Sequence, residues 1–201
     1  MLKKEKVIIL RVIKHGEADL ILHALTRQGA RMSFFAKSAA KSKKRFGGGV
    51  LEPTHYIDIS YKEKPDISET PLHMLLEAQL IQGFEKLRAD YDRLQAALYF
   101  LQVVSKLAQE GTVDSAEVFN LLGNALKVAE TTSDVHKLKL HFEIKLLGQQ
   151  GVLPPLPGAE DWMRKPLREH LEFDFSRDDF HQLQWAVHHS LEGYLAGVAA
   201  F

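Results

Sequence analysis

Apolar and polar residues alternate with a period of two through much of the first 80 residues, which is the pattern of half-buried β-strands. Turn residues at His15-Gly16 and Gln28-Gly29 divide the first part of this pattern into three apolar runs. These runs predict a meander of three strands, at residues 6–14, 19–26 and 30–36.

Two more strands are predicted beyond a long loop. Residues 54–61 predict a fourth strand whose buried face consists of Ile57, Ile59 and Tyr61. Residues 72–80 are interpreted as a fifth strand, although Leu75 also permits a helix. The inward face of this fifth strand is expected to consist of Met74, Leu76, Ala78 and Leu80.

Five short strands with a long basic loop between the third and the fourth favour a small closed barrel. The five-stranded OB-fold is the common nucleic-acid-binding barrel of this size. An SH3-like barrel fits the same pattern almost as well.

After Gly83 the apolar period changes to that of a helix. A first helix is predicted from Tyr91 to about Ala108, with Gly111 as its C-terminal cap. Its inward positions are expected to be Tyr91, Leu94, Leu98, Leu101 and Ala108. A second helix is predicted to begin near Asp114-Ser115, with inward positions Val118, Leu121, Leu122, Ala125 and Ala129.

Two further helices complete the predicted secondary structure. A third helix at residues 134–150 is stopped by Gly151 and by the prolines that follow it. Residues 152–175 are expected to form a loop, and a last helix is predicted at residues 177–198. The predicted fold is therefore α+β, with an OB-like β-barrel domain at residues 1–82 and an all-helical domain at residues 83–201.

Composition limits the possible functions. The chain of 201 residues has no cysteine, which excludes disulfides, thiolate zinc sites and cysteine nucleophiles. No apolar run has the length of a membrane span, so we expect a cytoplasmic protein without membrane contact.

The zero net charge conceals a division along the chain. Residues 1–45 hold twelve Lys and Arg against three acidic residues, a balance of +9. Residues 46–201 hold fourteen against twenty-three, a balance of −9. A basic segment of this density indicates a polyanionic partner, and nucleic acid is the commonest one.

The sequence offers no catalytic or metal site. Motifs of a nucleophile elbow, a phosphate-binding loop or a dinucleotide site are absent. His136 and His141 are five residues apart, and His188 and His189 are adjacent, so neither pair shares one side of a helix. We therefore expect neither an enzyme nor a bound metal or cofactor.

The strongest functional signal is the stretch KSAAKSKKRFGGG at residues 37–49. Few acidic residues lie near it in sequence, so its cations are expected to neutralise phosphates as a mobile arm. Phe34, Phe35, Phe46 and Tyr56 are candidate rings for base stacking. Each of them alone is more typical of a core, except Phe46, which is interpreted as an accessible ring because it lies in a polar, glycine-rich loop. The predicted DNA-binding residues are Arg27, Arg31, Lys37, Lys41, Lys43, Lys44, Arg45 and Phe46.

Several short motifs occur in a characteristic order. They are Gly16-Glu17-Ala18-Asp19, Leu25-Thr26-Arg27-Gln28-Gly29, Ala36-Lys37, Arg45-Phe46-Gly47, Leu51-Glu52-Pro53 and, in the third helix, Phe142-Glu143 with Leu146-Leu147 and Gly151. With these motifs the sequence resembles the RecO family of bacterial recombination mediators over residues 5–153.

The resemblance implies an N-terminal OB-fold and a helical C-terminal domain. It also implies a nucleoid-associated protein that binds single- and double-stranded DNA and anneals complementary strands. The implied partners are RecR and single-stranded DNA-binding protein. With RecR, a protein of this family places the recombinase RecA on DNA that is coated by single-stranded DNA-binding protein.

The sequence departs from the family pattern at two points. Many members have Lys-Gly-x-Arg where this chain has Lys37-Ser38-Ala39-Ala40, which removes one expected phosphate contact. The four-cysteine zinc element that many members carry cannot exist here.

The third helix places Lys137, His141 and Lys145 on one stripe between two apolar faces. Such a stripe is most often the solvated strip of a buried helix. The resemblance suggests a second interpretation, in which this basic seam binds the acidic C-terminal tail of single-stranded DNA-binding protein.

Two other functions fit the sequence. The chain is compatible with an RNA-binding OB-fold module, because stacking and phosphate contacts serve RNA as well as DNA. It is also compatible with a protein-interaction scaffold whose basic loop meets an acidic partner.

Overall fold

The computed structural model describes residues 1–42, 44–64, 72–108 and 116–198. These residues form two compact units. One unit comprises the described residues of 1–84 and 108–120, and the other those of 85–107 and 121–198. The proposed domain boundary between residues 82 and 83 stays a prediction.

Five strands form a closed barrel in the first unit. They are β1 (Leu2–His15), β2 (Asp19–Thr26), β3 (Arg31–Ala36), β4 (Tyr56–Lys62) and β5 (Leu72–Gln82). Their order is β1-β2-β3-β5-β4, and β4 pairs again with β1. All neighbours are antiparallel except β3 and β5, which are parallel. This is the order of the five-stranded Greek-key OB barrel, so the α+β prediction with an OB-like barrel is confirmed.

The barrel core follows from the alternation of the strands. β4 buries the predicted face, because Ile57, Ile59 and Tyr61 are all inside the barrel. The same core includes Val7, Ile9, Leu22, Ala24, Phe34, Ala36, Leu75 and Ala78. A register shift between Ile9 and Arg11 in β1 then turns Val12 toward this core.

The strand β5 is present, but its predicted inward face is wrong except at Ala78. His73 and Leu75 are buried, while Met74 and Leu76 are only partly buried and Leu80 is 44% exposed. The register shifts between the pairs Tyr61↔Leu75 and Ser60↔Glu77, so Leu76 is an extra residue on β5. This bulge changes the side-chain phase, and Ala78 is therefore buried three residues after Leu75.

The remaining regular elements are helices. They are α1 (Tyr91–Leu107), α2 (Ala116–Ala129), α3 (Val135–Gln149), α4 (Ala159–Arg164) and α5 (Arg177–Val198). The inward positions predicted for α2 are all buried. The predicted start at Asp114-Ser115 and the cap at Gly111 lie outside the described residues.

The inward stripe predicted for α1 is wrong in its first half. Tyr91 is 78% exposed and Leu98 is 46% exposed. The buried stripe instead includes Ala97, Phe100 and Val104. The prediction missed this face because it followed the large apolar side chains Tyr91 and Leu98 and overlooked the small Ala97.

Helix α3 is the centre of the second unit. It begins after Asp134, whose side chain accepts hydrogen bonds from the backbone N–H groups of His136 and Lys137 at 3.0 and 2.9 Å. It ends before Gly151, which adopts a φ of 70°. Its buried side chains lie on all sides of the helix, as expected for an element enclosed by others.

The expectation of a loop at residues 152–175 is wrong. This region contains α4 and a 3₁₀ helix at Leu167–Glu172. Trp162 of α4 and Phe173, which directly follows the 3₁₀ helix, stack with ring centroids 3.7 Å apart. Among the described residues, no helix has both the length and the apolar composition that a membrane span requires.

Candidate nucleic-acid interface

The basic loop, residues 37–49, begins at the end of β3. Hydrogen bonds from its backbone N–H groups hold its first residues in place. The carboxylate of Asp19 accepts a hydrogen bond of 2.6 Å from the backbone N–H of Ser38. Ala40 donates through its N–H to the carbonyl oxygen of Ala18 at 3.0 Å. Residues Ala39–Lys41 then form one 3₁₀ turn. The start of the loop is therefore attached to the turn between β1 and β2.

Arg45 fixes the second half of the loop. Its guanidinium donates to the carbonyl oxygen of Lys37 at 2.7 Å and to the hydroxyl of Ser42 at 3.1 Å. Its own carbonyl oxygen accepts a hydrogen bond of 3.1 Å from the N–H of Ala78 in β5. The described part of the loop is thus a folded segment, which contradicts the expectation of a mobile arm.

The interpretation of Phe46 as an accessible stacking ring is wrong. Phe46 is only 5% exposed and belongs to the barrel core. The Arg45 guanidinium lies 5.0 Å from the centroid of this ring. Phe46 therefore anchors the basic loop to the barrel. Burial of its phenyl ring in the core is more favourable in free energy than exposure of the ring to water in the loop.

Three lysines of the loop remain available to a ligand. The side chains of Lys37, Lys41 and Lys44 are exposed. Within the described part of the chain, none of these side chains forms an ion pair. Lys43, also predicted as a DNA-binding residue, lies outside the described residues.

The structure separates Arg27 and Arg31 from these lysines. Arg27 is exposed in the turn between β2 and β3, and Arg31 is the first residue of β3. Lys37 directly follows the other end of β3, about 20 Å from Arg31 at roughly 3.3 Å per residue. Arg27 and Arg31 therefore lie near the end of β3 opposite to Lys37, and their part in a DNA-binding surface stays a prediction.

Sequence reasoning missed a second group of side chains, on the outer face of β1, β2 and β3. Arg11 pairs in register with His23, and His23 pairs with Ser33. The Nδ1 atom of His23 lies 2.8 Å from the Ser33 hydroxyl oxygen. Alternation in β2 predicts that His23 points away from the core, because its neighbours Leu22 and Ala24 point inward.

Residues 162–173 contact the basic seam of α3, which is the stripe of Lys137, His141 and Lys145. The ammonium groups of Lys137 and Lys145 donate to the carbonyl oxygens of Phe173 and Met163, at 2.8 and 2.7 Å. The Nε2 atom of His141 lies 2.8 Å from the carbonyl oxygen of Trp162, and His141 is fully buried. Residues 162–173 cover His141, so both the solvated strip and the accessible seam are wrong at this residue. Lys137 and Lys145 are partly exposed, and their part in a partner site stays a prediction.

Burial shifts the pKa of two side chains on α3. Burial lowers the pKa of His141 to about 4, against the opposing effect of the hydrogen bond to Trp162. Burial also raises the pKa of Glu143, although the hydrogen bond from the Tyr99 hydroxyl and the charge of Lys139 act in the other direction. Both side chains lie in the interior of the helical unit, so we assign them to packing and not to ligand binding.

Two family models match successive parts of the chain. The model described as Recombination protein O N terminal matches residues 1–84. The model described as Recombination protein O C terminal matches residues 88–157. The first match includes the whole barrel and its basic loop, and the second includes α1 to α3.

Curated proteins similar to this chain carry the name DNA repair protein RecO. The protein of Syntrophobacter fumaroxidans is 30% identical over 153 residues, which are 76% of this chain and 58% of the relative. The protein of Rubrobacter xylanophilus is 32% identical over 162 residues, which are 80% of this chain and 62% of the relative. The protein of Thermodesulfovibrio yellowstonii is 34% identical over 154 residues, which are 74% and 57%. The chain thus spans about three fifths of the length of the curated relatives it matches.

Proposed function

The chain belongs to the RecO family, and we propose from this premise that it is a DNA-binding protein of repair and recombination. The observation that carries the proposal is the group of three exposed lysines, Lys37, Lys41 and Lys44, at one end of an OB-type barrel. Lysines without a carboxylate partner bind phosphate oxygens and release counterions, which gives affinity without base recognition.

The folding of the loop supports this proposal. Asp19 and Arg45 hold the loop at its two ends, so the lysines are positioned before a ligand arrives. A positioned cation loses less conformational entropy on binding than one on a free chain. The loop therefore presents positive charge at a defined place on the barrel.

We propose that the protein acts by binding and not by catalysis. We infer that the protein binds single- and double-stranded DNA in the cytoplasm, anneals complementary strands, and helps to load a recombinase together with RecR and single-stranded DNA-binding protein. Family membership supports these roles. A tail site that includes His141 is not part of the proposal, because this side chain is fully buried and its Nε2 atom lies 2.8 Å from the carbonyl oxygen of Trp162.

Fluorescence anisotropy tests the central claim. The chain is titrated against labelled single-stranded DNA, duplex DNA and RNA of matched length and sequence, at two salt concentrations. We expect binding to both forms of DNA that weakens steeply as salt rises. Absence of DNA binding at low salt, or tighter binding to RNA than to DNA of either form, contradicts the proposal.

The finer roles need separate measurements. Annealing is measured as the rate at which two complementary labelled strands pair, with and without the protein. Interaction with RecR and with single-stranded DNA-binding protein is measured by calorimetry with each purified protein. An unchanged annealing rate or an absence of heat removes the corresponding role and leaves DNA binding unaffected.

A further inference from the structure

The outer face of β1, β2 and β3 carries an apolar row that crosses three strands. Ile13 pairs in register with Ile21, and Ile21 pairs with Phe35. These three side chains are partly exposed. They point away from the core because their neighbours Val12, Leu22 and Phe34 pack inside the barrel.

Among the described residues of β3, Phe35 is the only aromatic residue on the outer face of the barrel. The neighbouring Phe34 points into the core and is 1% exposed. The ring of His15, at the end of β1, meets Phe35 edge-on, with centroids 5.8 Å apart and an interplanar angle of 82°. His15 is exposed. At this angle the edge of one ring meets the face of the other, so at least one face of the Phe35 ring is free of the histidine. A face is the part of a ring on which another flat group stacks.

Charges border this aromatic pair on two sides. Arg11, exposed on β1, lies two residues before Ile13 and on the same outer face. Lys37, exposed at the start of the basic loop, lies two residues after Phe35. Phosphates on either side of a base stacked on Phe35 therefore have cationic partners within reach of neighbouring residues.

We propose that Phe35, with His15 at its edge, is a stacking site for one unpaired base of single-stranded DNA. The inference rests on the DNA-binding function proposed above and deepens it. Proteins that bind single strands without sequence preference combine a positively charged groove with aromatic rings on which bases stack. In OB-folds the ligand lies on the face of the second and third strands, which is the face that carries Phe35.

The site distinguishes single strands from duplex. A base in a duplex is stacked on both sides and paired, so it reaches a protein ring only after the cost of unstacking is met. The lysines of the loop bind phosphates of either form of DNA. Phe35 therefore adds affinity for single strands alone, whereas Lys37, Lys41 and Lys44 add affinity for both.

Substitution of Phe35 tests this division. We expect Phe35→Leu to weaken binding of a single-stranded oligonucleotide about five- to hundredfold, the range produced by loss of one base–ring stack. Duplex affinity should stay within about twofold of the wild type, and the salt dependence should not change because no charge is removed. Phe35→Tyr should bind as the wild type. Tyr91→Leu, which removes an exposed ring from α1, is the matched control and should also bind as the wild type.

The outcomes separate the inference from the function on which it rests. Absence of DNA binding by the wild type overturns both. If the wild type binds DNA, two results overturn only the stacking site. One is an unchanged single-strand affinity of Phe35→Leu, and the other is an equal loss of affinity for single strand and duplex. Circular dichroism and thermal melting establish that each variant is folded.

A measurement on the wild type keeps the inference testable even if Phe35→Leu does not fold. An oligonucleotide that carries 5-iodouracil is irradiated in complex with the protein, and the adduct is located by mass spectrometry. We expect the adduct on the peptide that contains Phe35 or on the one that contains His15. Adducts found only on other peptides overturn the stacking site.

Discussion

The Oδ1 atom of Asp19, the first residue of β2, accepts a hydrogen bond of 2.6 Å from the backbone N–H of Ser38, which stands just after β3. This bond joins the turn between β1 and β2 to the start of the basic loop. We expect Asp19→Ala to lower the free energy of unfolding by about 1–2 kcal/mol, because the N–H of Ser38 loses its acceptor. Asp19→Asn keeps a side-chain oxygen and should lose less. Urea denaturation measures both, and equal stability of Asp19→Ala and the wild type contradicts the role of this bond.

Ser38 adopts a left-handed backbone conformation, with φ 54° and ψ 30°. An L-residue with a side chain pays about 1–2 kcal/mol for this conformation, whereas glycine does not. We expect Ser38→Gly to raise the free energy of unfolding by about 0.5–1 kcal/mol. This gain is smaller than the relieved strain because glycine also increases the conformational entropy of the unfolded chain. Ala40→Gly, at a neighbouring exposed residue with negative φ, is the control and should destabilise. A destabilised Ser38→Gly protein refutes this account of the loop.

The three exposed lysines should determine the salt dependence of DNA binding. We expect the combined substitution of Lys37, Lys41 and Lys44 by Gln to reduce the slope of log K against log salt by up to about 2 for a single strand, at roughly 0.7 per phosphate contact. Anisotropy titrations over a range of salt concentrations measure the slope. The same number of charges removed from exposed residues of the helical unit, Lys127, Arg164 and Arg168, provides the control. Equal slopes for the wild type and the loop variant exclude the lysines from the interface.

Phe46 should act on stability before it acts on binding. We expect Phe46→Ala to lower the free energy of unfolding by about 3–5 kcal/mol, because it removes a buried ring and leaves a cavity in the barrel core. Phe46→Leu retains much of the apolar volume and should cost less. Denaturation followed by circular dichroism distinguishes the two. A Phe46→Ala protein that is as stable as the wild type and defective only in DNA binding would restore the stacking role.

His141 should make the stability of the helical unit depend on pH. Burial lowers the pKa of His141 from 6.5 to about 4, so the unfolded chain takes up a proton at a higher pH than the folded chain does. The contribution of neutral His141 is fully present above pH 6.5 and is lost as pH falls toward 4. The difference is at most about 3 kcal/mol, at roughly 1.4 kcal/mol per pKa unit.

The comparison of the wild type with His141→Gln isolates this effect. Glu143, whose pKa is raised by burial, changes stability with pH in the opposite direction, but it is present in both proteins. We expect the stability difference between wild type and variant to shrink from pH 7 to pH 4.5 in urea denaturation. An NMR titration of the His141 ring should give a pKa well below 6. A constant difference between the two proteins, or a ring that titrates near 6.5, contradicts the buried neutral histidine.

The sequence alone predicted strands β1 to β5 and helices α1, α2, α3 and α5, but not α4. β2 and α5 have the predicted bounds, because turn residues stand on both sides of the apolar run Asp19–Thr26 and Arg177–Val198 has a clear helical period. The buried face of β4 was also predictable, since Ile57, Ile59 and Tyr61 are spaced two apart without interruption. A local period decides which side of an isolated element is apolar, and burial then follows it.

The tertiary structure alone decided the roles of the basic loop and the basic seam. A phenylalanine among lysines and glycines is locally indistinguishable from an exposed ring, but Phe46 enters the barrel because the core has room for it. Lys137, His141 and Lys145 form a basic stripe by their spacing, yet residues 162–173 supply three carbonyl oxygens to them. The inward face of β5 likewise depends on a bulge opposite β4. In each case the deciding partner is distant in sequence, and a period of two or 3.6 residues contains no information about a distant partner.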